Sequence, residues 1–213
     1  TAEYTPEMVA ETKRLFELLG VVWVEAPMEA EGAAAVRCAR GEVGAVASQD
    51  WDTLLYGAPV MVRNLTAHGT RRFGRVLQAE KVVLADTLAK HDITHEQLVD
   101  LGIMIGTDFH PGIRGIGPKT GLKLIREHGT LEAVAEAKEF ELPERLDEIR
   151  SLFLEHPTTP DALPHSTHAV EEDLWAFLQD ERGFSERRVQ RALDRLTGVA
   201  RLRSSSQPTL FDF

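Results

Sequence analysis

Five acidic residues occupy positions from which their carboxylates could act together on a phosphate group. Glu29 and Glu31 lie two residues apart at a predicted helix start, Asp50 and Asp52 lie two apart after a predicted strand, and Asp108 follows an apolar run. Carboxylates held close together repel one another, so such a cluster calls for cations. Oxygen ligands suit Mg²⁺ or Mn²⁺, and two such ions can clamp a phosphate for in-line attack. The sequence therefore indicates a paired-metal site.

Each acidic pair also has a purely structural interpretation, and the spacing alone leaves both open. Acids in a first helical turn, such as Glu29 and Glu31, are favoured by the helix dipole. Asp50 and Asp52 are common turn residues; if the extended geometry continued through them, both side chains would point the same way. The joint placement of the pairs at the ends of neighbouring predicted strands favours the metal site.

A glycine-rich loop after Asp108 indicates a phosphate-binding site. Gly115 and Gly117 let backbone amides approach a ligand closely, and Pro118 suits the first position of the helix that follows. Exposed amides at a helix start attract phosphate, and Lys119 and Lys123 lie beside them. The stretch thus carries a carboxylate on one side and a phosphate site on the other.

The predicted elements that position these residues begin with a helix from Pro6 that ends before Gly20. An apolar β-branched run at 21–24 and a second at 43–47 predict buried strands. The alanine-rich helix between them makes a parallel crossover, whose ligands bind at the carboxyl ends of the strands. Further predictions are a strand at 60–65, helices at 82–90, 95–105 (with a capping box), 118–128, 130–137, 143–154, 170–182 and 185–199, and a proline-rich linker at 156–165 with histidines interpreted as loop residues.

Composition excludes several classes of protein. The 213 residues have an ordinary globular composition and a net charge of -10, with one cysteine, Cys38, which we expect to be a small core residue in a reducing compartment. The sequence contains no long apolar run or secretory leader, so we expect neither a membrane span nor secretion. The charge is unevenly distributed along the chain. No acidic residue lies between Gly57 and Ala79, and the last predicted helix is rich in arginine. These arginines form either a solvated helix face or a secondary DNA contact.

Taken together, the motifs resemble the flap endonuclease (XPG-like) family of structure-specific 5′ nucleases. The matching motifs are APMEAE (26–31), SQDWD (48–52), GAP (57–59), RNLT (63–66), GTDF (106–109) and IRGIGPK (113–119), in the family's order over roughly residues 4–129. The resemblance implies an α/β parallel-sheet nuclease lobe at 1–105, a helical helix-two-turn-helix region at 106–200 and a flexible tail at 201–213. It also implies hydrolysis of DNA at 5′ flap junctions in replication and repair, by two Mg²⁺ ions that Mn²⁺ can replace.

The resemblance also implies roles for individual residues. Catalytic metal ligands would be Glu29, Glu31, Asp50, Asp52 and Asp108; carbonyls of Gly112, Ile113 and Ile116 would hold K⁺; Arg114, Gly115, Gly117, Lys119 and Lys123 would bind DNA; and Gln207, Leu210, Phe211 and Phe213 would dock on the sliding clamp, PCNA. The tail ends at Phe213, where the clamp-binding pattern has a second terminal aromatic residue. A monomer apart from the clamp, in the cytoplasm with the nucleoid (or in a nucleus), is the expected setting.

The family's N-terminal half, with further metal aspartates and a helical arch that carries a lysine and an arginine, has no counterpart here. We therefore expect this chain to be the C-terminal portion of such a nuclease and to cleave poorly alone, because arch cations would stabilise the transition state. The alternative from another class is a non-catalytic DNA- and clamp-binding module. A small-molecule phosphatase built on the same carboxylates is a third interpretation, and it leaves the basic stretches and the tail unexplained.

Overall fold

The computed structural model describes residues 4–67, 69–72, 74–157, 163 and 169–204, and they form an α/β fold. The helices are α1 (Pro6–Leu18), α2 (Ala30–Ala39), α3 (Asp52–Leu55), α4 (Leu84–His91), α5 (His95–Ile105), α6 (Pro118–His128), α7 (Leu131–Lys138), α8 (Leu146–Leu154), α9 (Glu171–Trp175), which continues as a π-helix (Ala176–Glu181), and α10 (Glu186–Ser204). The strands are β1 (Val46–Ala47), β2 (Val60–Arg63), β3 (Arg71–Arg72), β4 (Arg75–Val76) and β5 (Glu80–Val83).

The chain divides into two compact units. The larger unit is Glu25–Asp161, and the smaller unit combines Thr1–Val24 with Ala162–Phe213. This grouping by contacts differs from the division by role at residues 105 and 200, which stays a prediction. The predicted clamp-docking residues of the tail lie outside the described residues, as does most of the predicted linker after His156.

Local sequence signals set most helix starts as predicted. Thr5 caps α1 through a hydrogen bond that its side chain accepts from the Met8 amide (3.2 Å). Thr94 and Gln97 form both hydrogen bonds of a capping box at the start of α5. Pro118 is the first residue of α6. These signals are short-range, so they act whatever the surrounding fold.

The sheet is mixed, not parallel, and this corrects the predicted topology. It has the order β1-β2-β5, with β1 parallel to β2 and β5 antiparallel to β2. The predicted helix at 82–90 begins only at Leu84, because Val82 and Val83 pair with β2 (Val82 opposite Met61) as the end of β5. Two successive β-branched residues favour a strand wherever a partner strand is available.

Residues 21–24 were predicted to be a buried strand, and this prediction is wrong for the described structure. They adopt no regular structure, and Val21 and Val24 are each 47% exposed. Trp23 instead lies under the Lys13 ammonium, 4.6 Å from the ring centroid. A β-branched run becomes a strand only where another strand offers hydrogen bonds, and none of the described strands pairs with it. The parallel partner of β1 is therefore β2.

The core of the larger unit is built around α5. Val99, Ile103 and Met104 have no exposed surface, and they pack with buried side chains of α2, α3, α6, α7 and α8. Gly102 allows a close approach to α3, since a Cβ there would lie 2.7 Å from Leu55 Cδ1. Cys38 is buried in this core, as predicted. The packing fixes α3, which begins at Asp52, relative to the end of α5, which the Asp108 loop follows.

The smaller unit has its own apolar cluster. Leu174 of α9 and Val189 and Leu193 of α10 are buried, and Leu15 and Leu18 of α1 pack against them. No helix in the described parts of the chain combines the length and apolar character that crossing a bilayer requires.

Candidate metal centre

Three segments of the larger unit deliver the five predicted carboxylates. Glu29 is the N-cap residue of α2 and Glu31 lies in its first turn. Asp50 and Asp52 stand at the start of α3, just after β1. Asp108 lies in the loop that follows α5. Glu31 and Asp52 are half-buried, and the other three are exposed.

The turn that carries Asp50 and Asp52 does not continue the extended geometry of β1. Ser48 Oγ accepts a hydrogen bond from the Asp50 amide (3.0 Å), and Asp50 Oδ1 accepts one from the Asp52 amide (3.0 Å). The two aspartates therefore do not simply point to one side, as an extended chain would require. Asp50 orders the start of α3 instead, a hydrogen-bonding role that short polar side chains adopt at turns.

A tight loop holds Asp108 beside the end of α5. Thr107 and His110 exchange backbone hydrogen bonds (2.8 and 3.2 Å), and the Ile113 amide donates to the Met104 carbonyl (2.8 Å). Gly112 closes this loop with φ +85°, a conformation that side chains rarely adopt. A Cβ at Gly112 would lie 2.4 Å from the Ile105 carbonyl oxygen. Gly112 is thus required by the path of the backbone.

Replacing Gly112 by alanine should destabilise the fold much more than the same change at Gly115. Gly115 also has a positive φ (+86°), but no atom of the described residues lies within 4 Å of a Cβ built there. We expect about 1–2 kcal/mol for Gly115→Ala from backbone strain, and a further 1–3 kcal/mol, roughly, for Gly112→Ala from the steric overlap with backbone. Denaturant unfolding of the two variants measures this. Equal losses would contradict the loop geometry.

The raised pKa values of two side chains, Asp52 and Tyr56, indicate which carboxylates lie near one another. Burial, together with the charges of Asp50, Asp108 and Glu31, raises the pKa of Asp52 to about 6. Burial likewise raises the pKa of Tyr56, helped by the charges of Glu29, Asp52, Glu31 and Asp108. The predicted carboxylates thus lie in one region of the larger unit.

The donor chemistry of this region fits a hard divalent cation, although the donors are spread out. Carboxylate oxygens are the ligands that Mg²⁺ and Mn²⁺ prefer. Burial is the largest cause of the raised pKa of Asp52, and repulsion by neighbouring carboxylates adds to it; a bound cation would relieve that repulsion. Within the described residues, no three or more His, Cys, Asp or Glu side chains are grouped closely enough to hold one ion.

The raised pKa of Asp52, caused by burial and then by neighbouring carboxylates, should make stability depend on pH in metal-free buffer. The folded-state pKa of about 6 lies above the ordinary 3.8, so the folded protein binds this proton more tightly than the unfolded chain does. The free energy of unfolding should therefore fall as pH rises from about 4 to about 6. Because Asp52 is only half-buried, we expect the fall to be about 1 kcal/mol.

Chelator-treated protein, unfolded by denaturant at several pH values, tests this dependence. Asp52→Asn should remove that part of the fall, whereas Asp92→Asn should leave it in place, because Asp92 is 89% exposed. An identical pH profile for the Asp52→Asn variant and the unchanged chain would contradict the assignment.

The predicted DNA-contact residues surround the start of α6. Gly117 is its N-cap residue, and Lys119 and Lys123 are exposed on its first two turns. Arg114 and Gly115 are exposed in the preceding loop. Of the predicted K⁺ ligands, the Ile113 carbonyl accepts a hydrogen bond from the Ile116 amide (3.0 Å), and Gly112 closes the Asp108 loop.

His156 is a residue near the site that the sequence analysis placed in a loop. The structure buries it to 6% exposure between Tyr56, 5.2 Å away between ring centroids, and the first turn of α2, where a Cβ on Gly32 would meet its ring at 2.4 Å. Burial lowers its pKa, an effect that the Pro157 backbone and the Glu29 charge partly oppose. A lone histidine before a proline carries no sequence signal for such burial.

Comparison with known proteins finds relatives among the flap endonucleases. Residues 20–108 match the family described as the XPG I-region. The chain is 42% identical to flap endonuclease 1 of Methanothrix thermoacetophila, a match that covers 99% of this chain and 63% of that protein. The corresponding enzyme of Ignicoccus hospitalis is 38% identical, covering 100% of this chain and 62% of the relative. The chain therefore spans about three fifths of the length of these relatives.

Solved structures agree. Flap endonuclease-1 from Methanococcus jannaschii superposes with a TM-score of 0.78 at 37% identity, covering 91% of this chain and 58% of that one. The catalytic core of Rad2 in complex with DNA substrate gives a TM-score of 0.78 at 19% identity, covering 91% of this chain and 69% of that one, which is a likeness of fold. The fold is thus that of flap endonuclease-1. The chain is homologous to flap endonucleases over nearly all of its own length.

Proposed function

We propose that this chain is the C-terminal portion of a structure-specific 5′ flap endonuclease of DNA replication and repair, which hydrolyses phosphodiesters at flap junctions. The observation that carries the proposal is that the charges of Glu29, Glu31, Asp50 and Asp108 act on Asp52 or Tyr56, in a chain whose similarity to flap endonucleases covers 99% of its length. The likeness to a flap endonuclease structure supports the same conclusion.

The carboxylates would hold two Mg²⁺ ions, or Mn²⁺ in their place. When bound, the ions would supply Lewis-acid stabilisation of the charge that develops on the phosphate and a nucleophilic water at neutral pH. Glu31 and Asp52 would bind from the half-buried side of the site, and Glu29, Asp50 and Asp108 from its open side. The hydrogen bond from the Asp52 amide to Asp50 would hold the two aspartates in register.

The loop and first turns of α6 would grip the duplex through phosphate. Backbone amides at Gly115 and Gly117 would donate hydrogen bonds to the DNA phosphates. The side chains of Arg114, Lys119 and Lys123 would add positive charge. The carbonyls of Gly112, Ile113 and Ile116 would hold K⁺ in this helix-two-turn-helix element. Gln207, Leu210, Phe211 and Phe213 would dock on the sliding clamp. DNA affinity should be salt-sensitive and independent of sequence, because phosphate contacts carry no sequence information.

Cleavage of an end-labelled 5′-flap duplex with Mg²⁺ tests the proposal. The chain is assayed alone and joined to the N-terminal region of the Methanothrix thermoacetophila relative. Cutting at the junction only by the joined protein is the expected result. Cutting by the chain alone would show that the five carboxylates suffice for hydrolysis. Binding without cutting in both forms would favour the DNA- and clamp-binding module instead.

A further inference from the structure

Trp51 is an exposed aromatic residue at the edge of the carboxylate region. It lies between Asp50 and Asp52 and is 51% exposed. Its flanking residues, Gln49, Asp50 and Asp52, are polar or charged. Trp51 is thus an exposed aromatic ring whose neighbours in sequence are polar or charged.

The Arg63 side chain covers one face of the Trp51 ring and fixes its position. The guanidinium carbon lies 4.0 Å from the ring centroid, a stacked cation–π contact. Arg63 Nη2 is 3.5 Å from the Gln49 carbonyl and Nη1 is 4.0 Å from Glu80 Oε2. Pairing of Arg63 with Glu80 in the β2–β5 register holds the arginine at the end of its strand. The exposed half of Trp51 is thus its other face and edge.

The Arg63 side chain is largely buried where it stacks on Trp51, with 21% of it exposed. Arg63 Nε is buried and has no hydrogen-bond partner among the described residues. Leaving a buried donor unpaired is unfavourable, and an exposed arginine would avoid it by turning to water. The contact with Arg63 holds the Trp51 ring next to the candidate metal ligands, with about half of its surface exposed. A fixed aromatic face is the feature on which proteins stack unpaired bases.

We propose that Trp51 is a stacking platform for a nucleobase of the DNA strand whose phosphate lies at the carboxylates. This inference rests on the proposed nuclease function and adds a substrate contact to it. Because Trp51 is adjacent in sequence to Asp50 and Asp52, the stacked base belongs to a nucleotide close to the bound phosphate. Arg63, stacked on the ring from below, is a positioning residue, and its positive charge offsets the neighbouring acids.

A double-mutant cycle with abasic DNA tests the stacking directly. Flap duplexes with normal or abasic nucleotides at the junction are bound to the chain in Ca²⁺, a hard cation that takes carboxylate ligands and replaces Mg²⁺ in the assay. Trp51→Ala should weaken binding of the normal flap by about 5- to 150-fold and change binding of the abasic flap little. Trp51→Phe should retain most of the affinity. Leu142→Ala, at a residue 39% exposed, serves as the matched control and should bind both DNAs normally.

Tryptophan fluorescence gives an independent readout. In a variant with Trp23→Phe and Trp175→Phe, Trp51 is the remaining tryptophan, and normal flap DNA should quench it while abasic DNA should not. Equal affinity losses of Trp51→Ala on both DNAs, or no loss with no quenching, would overturn the proposal. Absence of DNA binding by the unchanged chain would instead overturn the proposed function on which it rests.

Discussion

Asp108→Asn should abolish flap cleavage while leaving DNA binding within a few-fold of the unchanged protein. The substitution keeps the shape of the side chain and removes its charge. The Asp108 side chain is exposed, so removing its charge should cost the fold little packing. Its charge acts on Asp52 and Tyr56. Losing a ligand that helps metal ions stabilise the transition state by several kcal/mol should lower the cleavage rate by about 10³-fold or more.

Single-turnover cleavage and DNA anisotropy measure the two effects in whichever form of the protein cuts. Asp86→Asn, at an exposed acid in the first turn of α4, is the matched control and should cut normally. If Asp108→Asn lost DNA binding together with cleavage, the carboxylate would have to serve the fold or the DNA grip. Retained cleavage would remove Asp108 from the metal centre.

Arg150→Met should destabilise the larger unit by about 3–5 kcal/mol, the usual cost of leaving a buried charge without its partner. Arg150 binds both oxygens of Asp100 (2.7 and 2.9 Å), and Asp100 is 5% exposed. The same guanidinium also pairs with Glu132 of α7 (2.5 and 2.8 Å). Asp100 in turn accepts a hydrogen bond from the Leu131 amide (3.0 Å). One arginine of α8 therefore ties α5 and α7 together.

Urea unfolding at pH 7 measures this loss, with Arg145→Met as the control. The Arg145–Glu148 pair is exposed on both sides, so its loss should cost less than about 1 kcal/mol. Adding Asp100→Asn to Arg150→Met should restore part of the stability, because it removes the stranded charge and keeps an acceptor for Leu131. A loss of similar size in both single variants would contradict a buried network.

Acid should weaken the same network. A hydrogen bond from Arg150 is the main cause that lowers the pKa of Glu132 from 4.5 to about 2. A lowered folded-state pKa means that the contribution of Glu132 to stability is present above about pH 4.5 and is lost as pH falls toward 2. The stability of the Arg150→Met variant should therefore change less with pH over this range than that of the unchanged chain.

Sequence patterns predicted the elements whose causes are local. The Thr94 capping box, the Pro118 helix start and the buried Cys38 are set by residues a few positions apart, or by an apolar helical face, and all are confirmed. The same patterns were wrong where the outcome depended on a distant strand. Val82 and Val83 pair with β2 and form a strand. Residues 21–24 pair with none of the described strands and form no regular structure.

By itself, the sequence determined the types and spacing of the acidic pairs, the glycines that the Asp108 loop requires, and the resemblance to flap endonucleases. Only the tertiary structure decided which groups meet. The packing of α3 against α5 brings Asp52 near Asp108. His156 is buried beside α2. The β2–β5 register positions Arg63 against the Trp51 ring. Residue types and local geometry can be predicted from residues that are close in sequence. Burial and charge repulsion depend on contacts between residues far apart in the chain, and the spacing of residues along the sequence does not predict those contacts.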